Sequence, residues 1–338
     1  MIRRFVILLT VIYTLTPDDT AARLPEQVFR VMFYNVENLF DTYDDPLTED
    51  DEFLPDGPRH WTPKRYYGHL RRVAQVVNAV GEWDTPALIG LCEVENDSVL
   101  THLIYRTQLR AQNYRYCLSH GNDPRGINTA LLYQRDKFKY MDSRSVRIHF
   151  RDKDKRSRDI LHVWGEVITG DTLDVFVCHF PSRSGGEMET EQARIDAATC
   201  LRHLCDSLHQ MRHSPNILVM GDFNDYPSDR SIQIILNEQQ PERKLKNLFA
   251  DPKTLNFMGS HKYQGEWSQL DQMMISASWE RYLKKSSVKI FDAPFLFRED
   301  KTHRGQRPWR IYYGFKYEGG FSDHLPIVAD FLLPLPDE

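Results

Sequence analysis

The stretch Ile217-Leu218-Val219-Met220-Gly221-Asp222-Phe223-Asn224-Asp225 places four continuous apolar residues before a polar motif. A short apolar run of this kind is typical of a strand buried on both faces. Asp222 and Asn224 alternate, so in an extended chain both side chains can face one side and hold a water molecule or an ion. An Asx turn is the alternative, but Asp225-Tyr226-Pro227 already supplies turn-forming residues. The stretch therefore predicts a buried strand that ends in a functional motif, with Gly221 allowing a tight turn.

Three other polar side chains stand directly after apolar runs, namely Asn35, Glu93 and His179. An acid such as Glu93 is costly after five buried residues unless it meets a cation or solvent. Asparagine and glutamate oxygens suit a hard cation such as Mg²⁺, with water filling the remaining positions. Taken alone, Asn35 could instead cap a helix and His179 could be a structural residue. Their shared position at strand ends favours function, because loops at strand ends build binding sites.

Two further polar groups belong to the same pattern. Asp271 interrupts an otherwise apolar segment, and a buried acid needs a partner, for which histidine is the natural choice. Asp323 and His324 precede the last apolar run and, being adjacent, point in different directions. One of this pair can therefore bind a metal ion while the other contacts a phosphate group.

Strands and helices alternate along the chain, with helices between some strands and hairpins between others. The predicted strands span residues 28–34, 87–92, 129–133, 162–167, 173–179, 217–220, 270–275 and 327–332. The predicted helices span residues 64–80, 98–110 and 189–212. A basic run at residues 144–158 is diluted by acids and is interpreted as a loop or a hairpin face. This order of elements suits a single domain of mixed α/β type in which helices cover the sheets.

Composition is that of an ordinary globular protein, with 338 residues, 41% of them hydrophobic and 27% charged. The formal net charge of −5 argues against a surface coated with basic residues for tight nucleic-acid binding, although one local basic rim remains compatible with it. No Ser/Gly linker, repeat or low-complexity tract follows residue 30. We therefore expect one domain over residues 23–338.

The N-terminus resembles an export signal. Arg3 and Arg4 precede an apolar run at residues 5–15, and Thr20-Ala21-Ala22 offers small residues for cleavage. The run is too short to span a bilayer, and an uncleaved anchor or a buried strand is the alternative. We expect cleavage after residue 22, export to the periplasm or the extracellular space, and no transmembrane anchor in the mature protein.

The five cysteines show no spacing typical of a metal site, and their odd number leaves at least one thiol free in a monomer. They are Cys92, Cys117, Cys178, Cys200 and Cys205. Cys92 and Cys178 lie inside apolar runs and are interpreted as small buried hydrophobic residues. We expect no disulfide framework in spite of export.

Taken together, the polar motifs carry a family likeness. The motifs, in chain order, are Asn-Val-Glu-Asn-Leu-Phe-Asp at Asn35, Cys-Glu-Val at Glu93, Cys-His-Phe at His179, Gly-Asp-Phe-Asn at Asp222, Leu-Asp-Gln at Asp271 and Ser322-Asp323-His324. Over residues 28–333 the chain resembles the endonuclease/exonuclease/phosphatase superfamily. Asp123-Pro124-Arg125-Gly126-Ile127-Asn128 and His179-Phe180-Pro181-Ser182-Arg183 further resemble its branch of predicted extracellular nucleases.

The resemblance implies a deoxyribonuclease I-like fold, a four-layer α/β (α+β) sandwich of two packed mixed β-sheets flanked by helices. By position, Glu93 is the main Mg²⁺ ligand, assisted by Asn35 and Asp323, with Mn²⁺ or Ca²⁺ as other possible ions. Asp222 orients or deprotonates the attacking water, and Asn224 positions that water and the phosphate.

The resemblance also assigns the residues that stabilise charge on the phosphate oxygens. These are His324, paired with Asp271, and His179. Arg158 is assigned to phosphate binding, with Arg156 as the competing choice. Asn128 belongs to the same phosphate-binding group and stands where the family often has an acid that orients the first histidine.

One segment bears on the substrate. Residues 298–316 contain six lysines and arginines interleaved with Trp309, Tyr312, Tyr313 and Phe315, a composition that suits a nucleic-acid backbone with stacked bases. The segment would also suit other anionic substrates, and a solvated loop is the alternative.

A secreted Mg²⁺-dependent nuclease, most simply an endonuclease, is therefore the leading hypothesis. It would hydrolyse phosphodiester bonds by in-line attack of water, act on nucleic acid as a monomer and need no stable protein partner. A phosphomonoesterase or phospholipase of the inositol-phosphate phosphatase or sphingomyelinase kind is the rival within the family. A non-catalytic binding protein on the same scaffold is disfavoured by the complete set of motif residues.

Overall fold

A computed structural model describes residues 25–237, 239–251 and 255–336. The predicted signal peptide, residues 1–22, lies outside this part of the chain. Among the described residues, no helix is long and apolar enough to cross a membrane.

Two six-stranded sheets form the centre of the molecule. The first contains β1 (Glu26–Leu39), β2 (Leu88–Val94), β3 (Arg115–Leu118), β4 (Asn128–Tyr133), β13 (Lys289–Ile290) and β18 (Ile327–Pro334). The second contains β5 (Phe138–Val146), β6 (Ile160–Val167), β7 (Thr172–His179), β8 (Asn216–Asp222), β9 (Leu245–Asn247) and β12 (Asp271–Ser276). Their strand orders are β13-β18-β1-β2-β4-β3 and β5-β6-β7-β8-β12-β9.

Each sheet has one parallel pair at its centre, β1 with β2 and β7 with β8, and antiparallel neighbours around it. Three short hairpins lie outside the sheets: β10 (His261–Tyr263) with β11 (Glu266–Ser268), β14 (Phe297–Glu299) with β15 (Gln306–Pro308), and β16 (Tyr312–Tyr313) with β17 (Lys316–Tyr317). The helices are α1 (Pro63–Gly81), α2 (Asp97–Tyr105), α3 (Glu187–Met211), α4 (Arg230–Leu236) and α5 (Ala277–Glu280).

The two faces of the second sheet pack against different partners, as the two-residue period of a strand requires. Leu218 and Met220 on β8 belong to the core shared with the first sheet, whereas Ile217 and Val219 pack in a second core with α3 and α4. Gly90 on β2 allows the close approach of the sheets, because a Cβ there would lie 2.8 Å from the Met220 sulfur. The predicted four-layer sandwich of two mixed sheets flanked by helices is therefore confirmed.

Predicted and observed elements differ at some ends. The helix predicted over residues 98–110 ends at Tyr105, because Thr107 Oγ1 accepts a hydrogen bond from the amide of Leu109 and begins a short 3₁₀ turn. Strand β5 was not predicted: residues 138–143 precede the basic run, whereas residues 144–146 begin that run and pair with β6, as the interpretation of a hairpin face allows. It is an edge strand with mostly exposed side chains, so apolar periodicity could not reveal it.

Candidate active site

Strand register brings the predicted site residues together at one edge of both sheets. In the first sheet Asn35 pairs with Cys92, directly before Glu93. In the second sheet Asp222 pairs with His179 on one side and with Asp271 on the other. Because residues paired in this way project to the same side of a sheet, the two groups meet in the space between the sheets.

Asp222 lies at the centre of this cluster and is buried. Its Oδ2 atom is 3.1 Å from Asn35 Nδ2, 3.7 Å from His179 Nε2 and 3.8 Å from His324 Nε2. Its Oδ1 atom accepts a hydrogen bond of 3.0 Å from the Asn224 amide. Burial raises the pKa of Asp222 to about 6, although His324 works in the opposite direction. Above that pH the group is a carboxylate that can accept a proton.

His324 is held by two hydrogen bonds, one made by its ring and one by its backbone amide. Its Nδ1 atom is 2.7 Å from Asp271 Oδ2, and its backbone amide donates to Ser322 Oγ at 3.1 Å. Burial by itself lowers the pKa of His324, but Asp271 and Asp222 outweigh burial and hold that pKa well above the usual value. These acids therefore favour the protonated ring, whose Nε2 faces the site, and the contact with Asp271 is the pairing that the resemblance implied.

Glu93 adopts a left-handed backbone conformation, with φ of 64°, which costs free energy for a residue other than glycine. This turn directs its side chain out of the strand, where Oε2 accepts a hydrogen bond of 2.8 Å from the Asn38 amide. Oε1 is 3.4 Å from Asn35 Nδ2 and 3.9 Å from His179 Nε2. With 14% of the side chain exposed, Glu93 is accessible to a hydrated ion.

Glu93 and Asp323, the two carboxylates predicted to bind the cation, are both partly exposed. Their side chains are 14% and 21% exposed, and carboxylate oxygens suit a hard divalent cation together with water. The Asn35 amide oxygen accepts a hydrogen bond from the Glu37 amide at 3.0 Å, and its Nδ2 donates toward Asp222 and Glu93. These contacts let Asn35 align the carboxylates of Asp222 and Glu93, and its predicted role as an assisting metal ligand stays a prediction.

Arg310 contacts Asp323, one of the predicted metal ligands, and this contact was not predicted from the sequence. Its Nη2 atom is 2.8 Å from Asp323 Oδ2, and its Nε is 3.4 Å from Glu37 Oε1. Although burial opposes it, Arg310 together with His324 holds the pKa of Asp323 below its usual value. Burial and Asp323 raise the pKa of Glu37 to about 8. Arg310 thus supplies fixed positive charge beside the predicted cation ligands.

His179 also lies in the cluster, and one of its two ring nitrogens makes no hydrogen bond to the described residues. Its Nδ1 atom is buried and has no hydrogen-bond partner among the described residues. Burial, with Arg158 nearby, lowers the pKa of His179 well below its usual value, so the ring is neutral.

The two residues assigned to phosphate binding are occupied elsewhere. Arg158 Nε donates to the His179 carbonyl at 3.2 Å, its Nη2 donates to the Phe180 carbonyl, and its Nη1 is 3.0 Å from Asp123 Oδ2. Asn128 donates to the carbonyls of Glu95 and Gly126. In this arrangement Arg158 supports the segment that carries His179, and Asn128 holds a loop.

Asn224 makes the turn that the sequence analysis assigned to Gly221. Asn224 has a φ of 52°, and its Nδ2 donates to the Phe180 carbonyl at 3.2 Å. Arg183 fixes this turn by donating from Nε to the Asn224 carbonyl at 2.7 Å. Gly221 instead lies within β8, where a Cβ would be 2.5 Å from the Cys178 carbonyl oxygen. Glycine is therefore required there for close strand approach rather than for a turn.

Two further residues border the site without having been predicted to do so. The His261 ring lies 4.6 Å from the His324 ring, and His261 can join Asp323 and His324 around one point. Cys92, with its thiol buried, lies in a group with His179 and Asp222. Cys92 directly precedes Glu93 and could have been suspected from that position, whereas no sequence signal marks His261.

The basic and aromatic segment, residues 298–316, borders the site, but several of its cations have partners. Arg307 makes two hydrogen bonds to Glu318, at 2.9 and 2.7 Å, and Arg298 stacks over Trp309 at 5.1 Å. Beside Asp323 the segment lines a cavity of about 310 Å³. Its lining includes Lys262, Tyr263, His303, Arg310 and Tyr313.

Solved structures with the same fold share little sequence with this chain. A Bacteroides thetaiotaomicron mannosyl-6-phosphatase is 16% identical, with a TM-score of 0.55, over 90% of this chain and 99% of that one. A truncated Caenorhabditis elegans TDP2 is 17% identical, with a TM-score of 0.56, over 90% and 97%. The human Nocturnin catalytic domain with bound sulfate is 18% identical, with a TM-score of 0.52, over 90% and 97%. At these identities the likeness shows the fold alone.

A comparison with curated proteins finds no match. The model of the endonuclease/exonuclease/phosphatase family matches residues 30–332, a span that contains every side chain of the cluster described above. Members of this family are metal-dependent hydrolases that act on phosphoester bonds. The chain belongs to the endonuclease/exonuclease/phosphatase family.

Proposed function

We propose that this protein hydrolyses phosphoester bonds with a divalent cation, and that its substrate is a compact phosphate ester. The observation that carries the proposal is the position of Asp222, whose Oδ2 atom lies within 3.8 Å of both His179 Nε2 and His324 Nε2. A carboxylate between two imidazoles can orient water toward a phosphorus atom whose oxygens the imidazoles contact.

Each residue then has a defined task. Asp222, aligned by Asn35, accepts the proton of the attacking water. His324, kept charged by Asp271, donates from Nε2 to a phosphate oxygen, and neutral His179 orients a second oxygen. Glu93 and Asp323 would hold Mg²⁺, which neutralises charge on the phosphate when it is bound. Arg310 keeps the Asp323 carboxylate ionised and in place.

The rim of the site bears on substrate size. A polynucleotide needs several unpaired cations along its backbone. Arg307 and Arg310 are committed to Glu318, Glu37 and Asp323, which leaves Lys301, Arg304 and Lys316 as the cations of the segment without an ion pair among the described residues. The adjoining cavity of about 310 Å³ matches the lower end of small-molecule sites, about 300–1,000 Å³. A sugar phosphate or a single nucleotide fits this space, which favours a phosphomonoesterase over the nuclease ranked first from the sequence.

A nuclease remains the second candidate because aromatic side chains stay open to solvent on the same rim. Tyr313 and Phe315 are 46% and 65% exposed and could stack on bases. The same exposed rings could equally contact a sugar face, so they do not decide between the two substrate classes.

An activity panel on residues 23–338 tests the proposal, with Asp222→Asn as the matched control for contaminating activity. The panel contains hexose 6-phosphates, mononucleotides, plasmid DNA, RNA, phosphoinositides and sphingomyelin, each with Mg²⁺ and with chelator. We expect Mg²⁺-dependent phosphate release from a small ester, with shallow salt dependence. Plasmid or RNA cleavage that falls steeply with salt would instead select the nuclease, and no hydrolysis of any substrate would refute both.

A further inference from the structure

A thiol lies beneath the site, between the two sheets. Cys92 pairs in register with Asn35 on β1, so its side chain projects to the same side of the first sheet as the amide that contacts Asp222. The side chain is fully buried and takes no part in the hydrolysis proposed above. Cys92 is also unpaired, as are the other four cysteines.

Three different metal-binding groups converge at this point. One ligand atom each from Cys92, His179 and Asp222 lie within 4.8 Å of one another. Sulfur, nitrogen and oxygen donors bind Zn²⁺ at about 2.0–2.3 Å in tetrahedral sites. Atoms around such an ion are therefore about 3–4 Å apart, and small side-chain shifts bring the three donors to that spacing.

The ring nitrogen of His179 that faces this group is Nε2, which is 3.7 Å from Asp222 Oδ2. The other ring nitrogen, Nδ1, is buried and has no hydrogen-bond partner among the described residues, so Nε2 is the nitrogen available to an ion in the group. A buried ring nitrogen normally has a partner, because leaving it unpaired costs about 1–3 kcal/mol. Coordination of a metal ion by this histidine fixes its tautomer and ring orientation.

We propose that Cys92, His179 and Asp222 form a binding site for a thiophilic divalent cation such as Zn²⁺, and that occupation of this site inhibits the enzyme. The donor set separates it from the Glu93 and Asp323 site, because a thiolate selects softer ions whereas Mg²⁺ takes oxygen ligands. Binding transfers the thiol proton to solvent and forms a sulfur–metal bond.

Inhibition follows from which residues the ion occupies. A metal bound to His179 and Asp222 removes a phosphate-orienting imidazole and the proton acceptor for water at the same time. This consequence rests on the proposed function, whereas binding of the ion does not. The fourth position of a tetrahedral ion is left for water.

Cobalt binding tests the site without any assay of activity. Co²⁺ is added to the metal-free protein at one equivalent, and the thiolate-to-cobalt charge-transfer absorption is recorded in the near ultraviolet. We expect the band in the wild type, its loss in both Cys92→Ala and Cys92→Ser, and its retention in Cys200→Ser. Cys200 is the matched control because it is the most accessible of the five thiols. Absence of the band in the wild type, or its loss only in Cys200→Ser, would overturn the proposal.

Zinc titration on the working enzyme tests the consequence. With Mg²⁺ in excess, Cys92→Ala should need roughly tenfold or more Zn²⁺ than the wild type for half-inhibition, since one ligand is removed. Equal sensitivity would refute inhibition through Cys92. A wild-type crystal soaked in Zn²⁺ needs no substitution: an anomalous peak within bonding distance of Cys92 Sγ supports the site, and zinc bound only elsewhere refutes it.

Discussion

The floor of the site and its rim use charged residues in opposite ways. On the floor, Asp222 is buried, no arginine or lysine among the described residues bonds to it, and its neighbours include two histidines whose pKa values are shifted in opposite directions. On the rim, Arg307 is matched to Glu318 and Arg310 to Asp323 and Glu37. Charges left uncompensated in a buried place are expensive and are therefore associated with chemistry, whereas matched pairs fix shape. Substitutions on the floor should consequently change rates, and those on the rim should change binding and stability.

The largest effect is expected at Glu93. Glu93→Gln should reduce Mg²⁺-dependent turnover by about 10²–10⁴-fold, because it removes the charge of a proposed cation ligand. Glu95→Gln makes the same chemical change two residues away, at a buried carboxylate that accepts a hydrogen bond from the Asp41 amide. The ratio of kcat/KM between the two variants measures the contribution of the site, and near wild-type turnover in Glu93→Gln would remove Glu93 from the metal assignment.

A coupled loss is expected for His324 and Asp271. Each single alanine substitution should lower kcat by about 10²-fold or more, and the double variant should resemble His324→Ala alone, since Asp271 acts by holding the ring charged. Kinetics on the three variants form the double-mutant cycle. Losses that multiply would show that the two residues act separately.

A pH effect is expected from Asp222. Its pKa is raised to about 6, so the proton-accepting form is lost as the pH falls through that value. The plot of log kcat/KM against pH should fall with unit slope below about 6, which is tenfold per pH unit. A profile that is flat down to pH 5, with the protein still folded, would argue against Asp222 as the base.

A small effect is expected on the rim. Arg307→Gln and Glu318→Gln should each change KM a few-fold and leave kcat unchanged, because Arg307 lines the cavity beside the site and Glu318 holds its side chain in place. Each should also lower the free energy of unfolding by about 1 kcal/mol, because either change breaks the Arg307–Glu318 ion pair, and the double variant should be close to either single one. A large fall in kcat in either single variant would place the rim in the chemistry.

The smallest effect on activity is expected at Glu95, where the predicted change is in folding stability. Burial raises the pKa of Glu95 to about 8, so between the normal pKa and 8 the folded state keeps a proton that the unfolded state releases. Folding stability therefore declines as the pH rises through this window. Glu95→Gln should abolish the decline, which linkage puts at about 3 kcal/mol between pH 5 and pH 8. Thermal melts at the two pH values decide it, and an equal slope in both proteins would contradict it.

The same contrast explains what the sequence could predict. Floor residues stand directly after apolar runs, and strand periodicity with parallel pairing was enough to place Asp222, His179 and Glu93 at one edge. A buried acid needs a partner, so Asp271 was expected to contact a histidine. The family resemblance named His324 as that histidine, and the contact is present.

The hydrogen bonds and ion pairs that depend on how the chain folds could not be predicted in this way. The resemblance assigned Arg158 to phosphate binding, yet its guanidinium donates to the backbone carbonyls of His179 and Phe180. The Asn35 amide could present oxygen or nitrogen to the site, and only the hydrogen bond from Glu37 decides which. Three of the six cations of residues 298–316 have acidic partners, and the sequence does not show that Glu318 lies beside Arg307.

The position of β18 has a consequence for how the enzyme is made. This strand is the last of the first sheet to be synthesised, yet it lies between β13 and β1 and pairs with β1 along eight residues, from Glu26↔Pro334 to Phe33↔Ile327. Asp323 and His324 shortly precede it, so the nascent chain can form neither the pairing of β1 with β18 nor the contact of His324 with Asp271 until these residues have left the ribosome. The earlier part of the chain therefore emerges with an incomplete site, which only this late segment can complete.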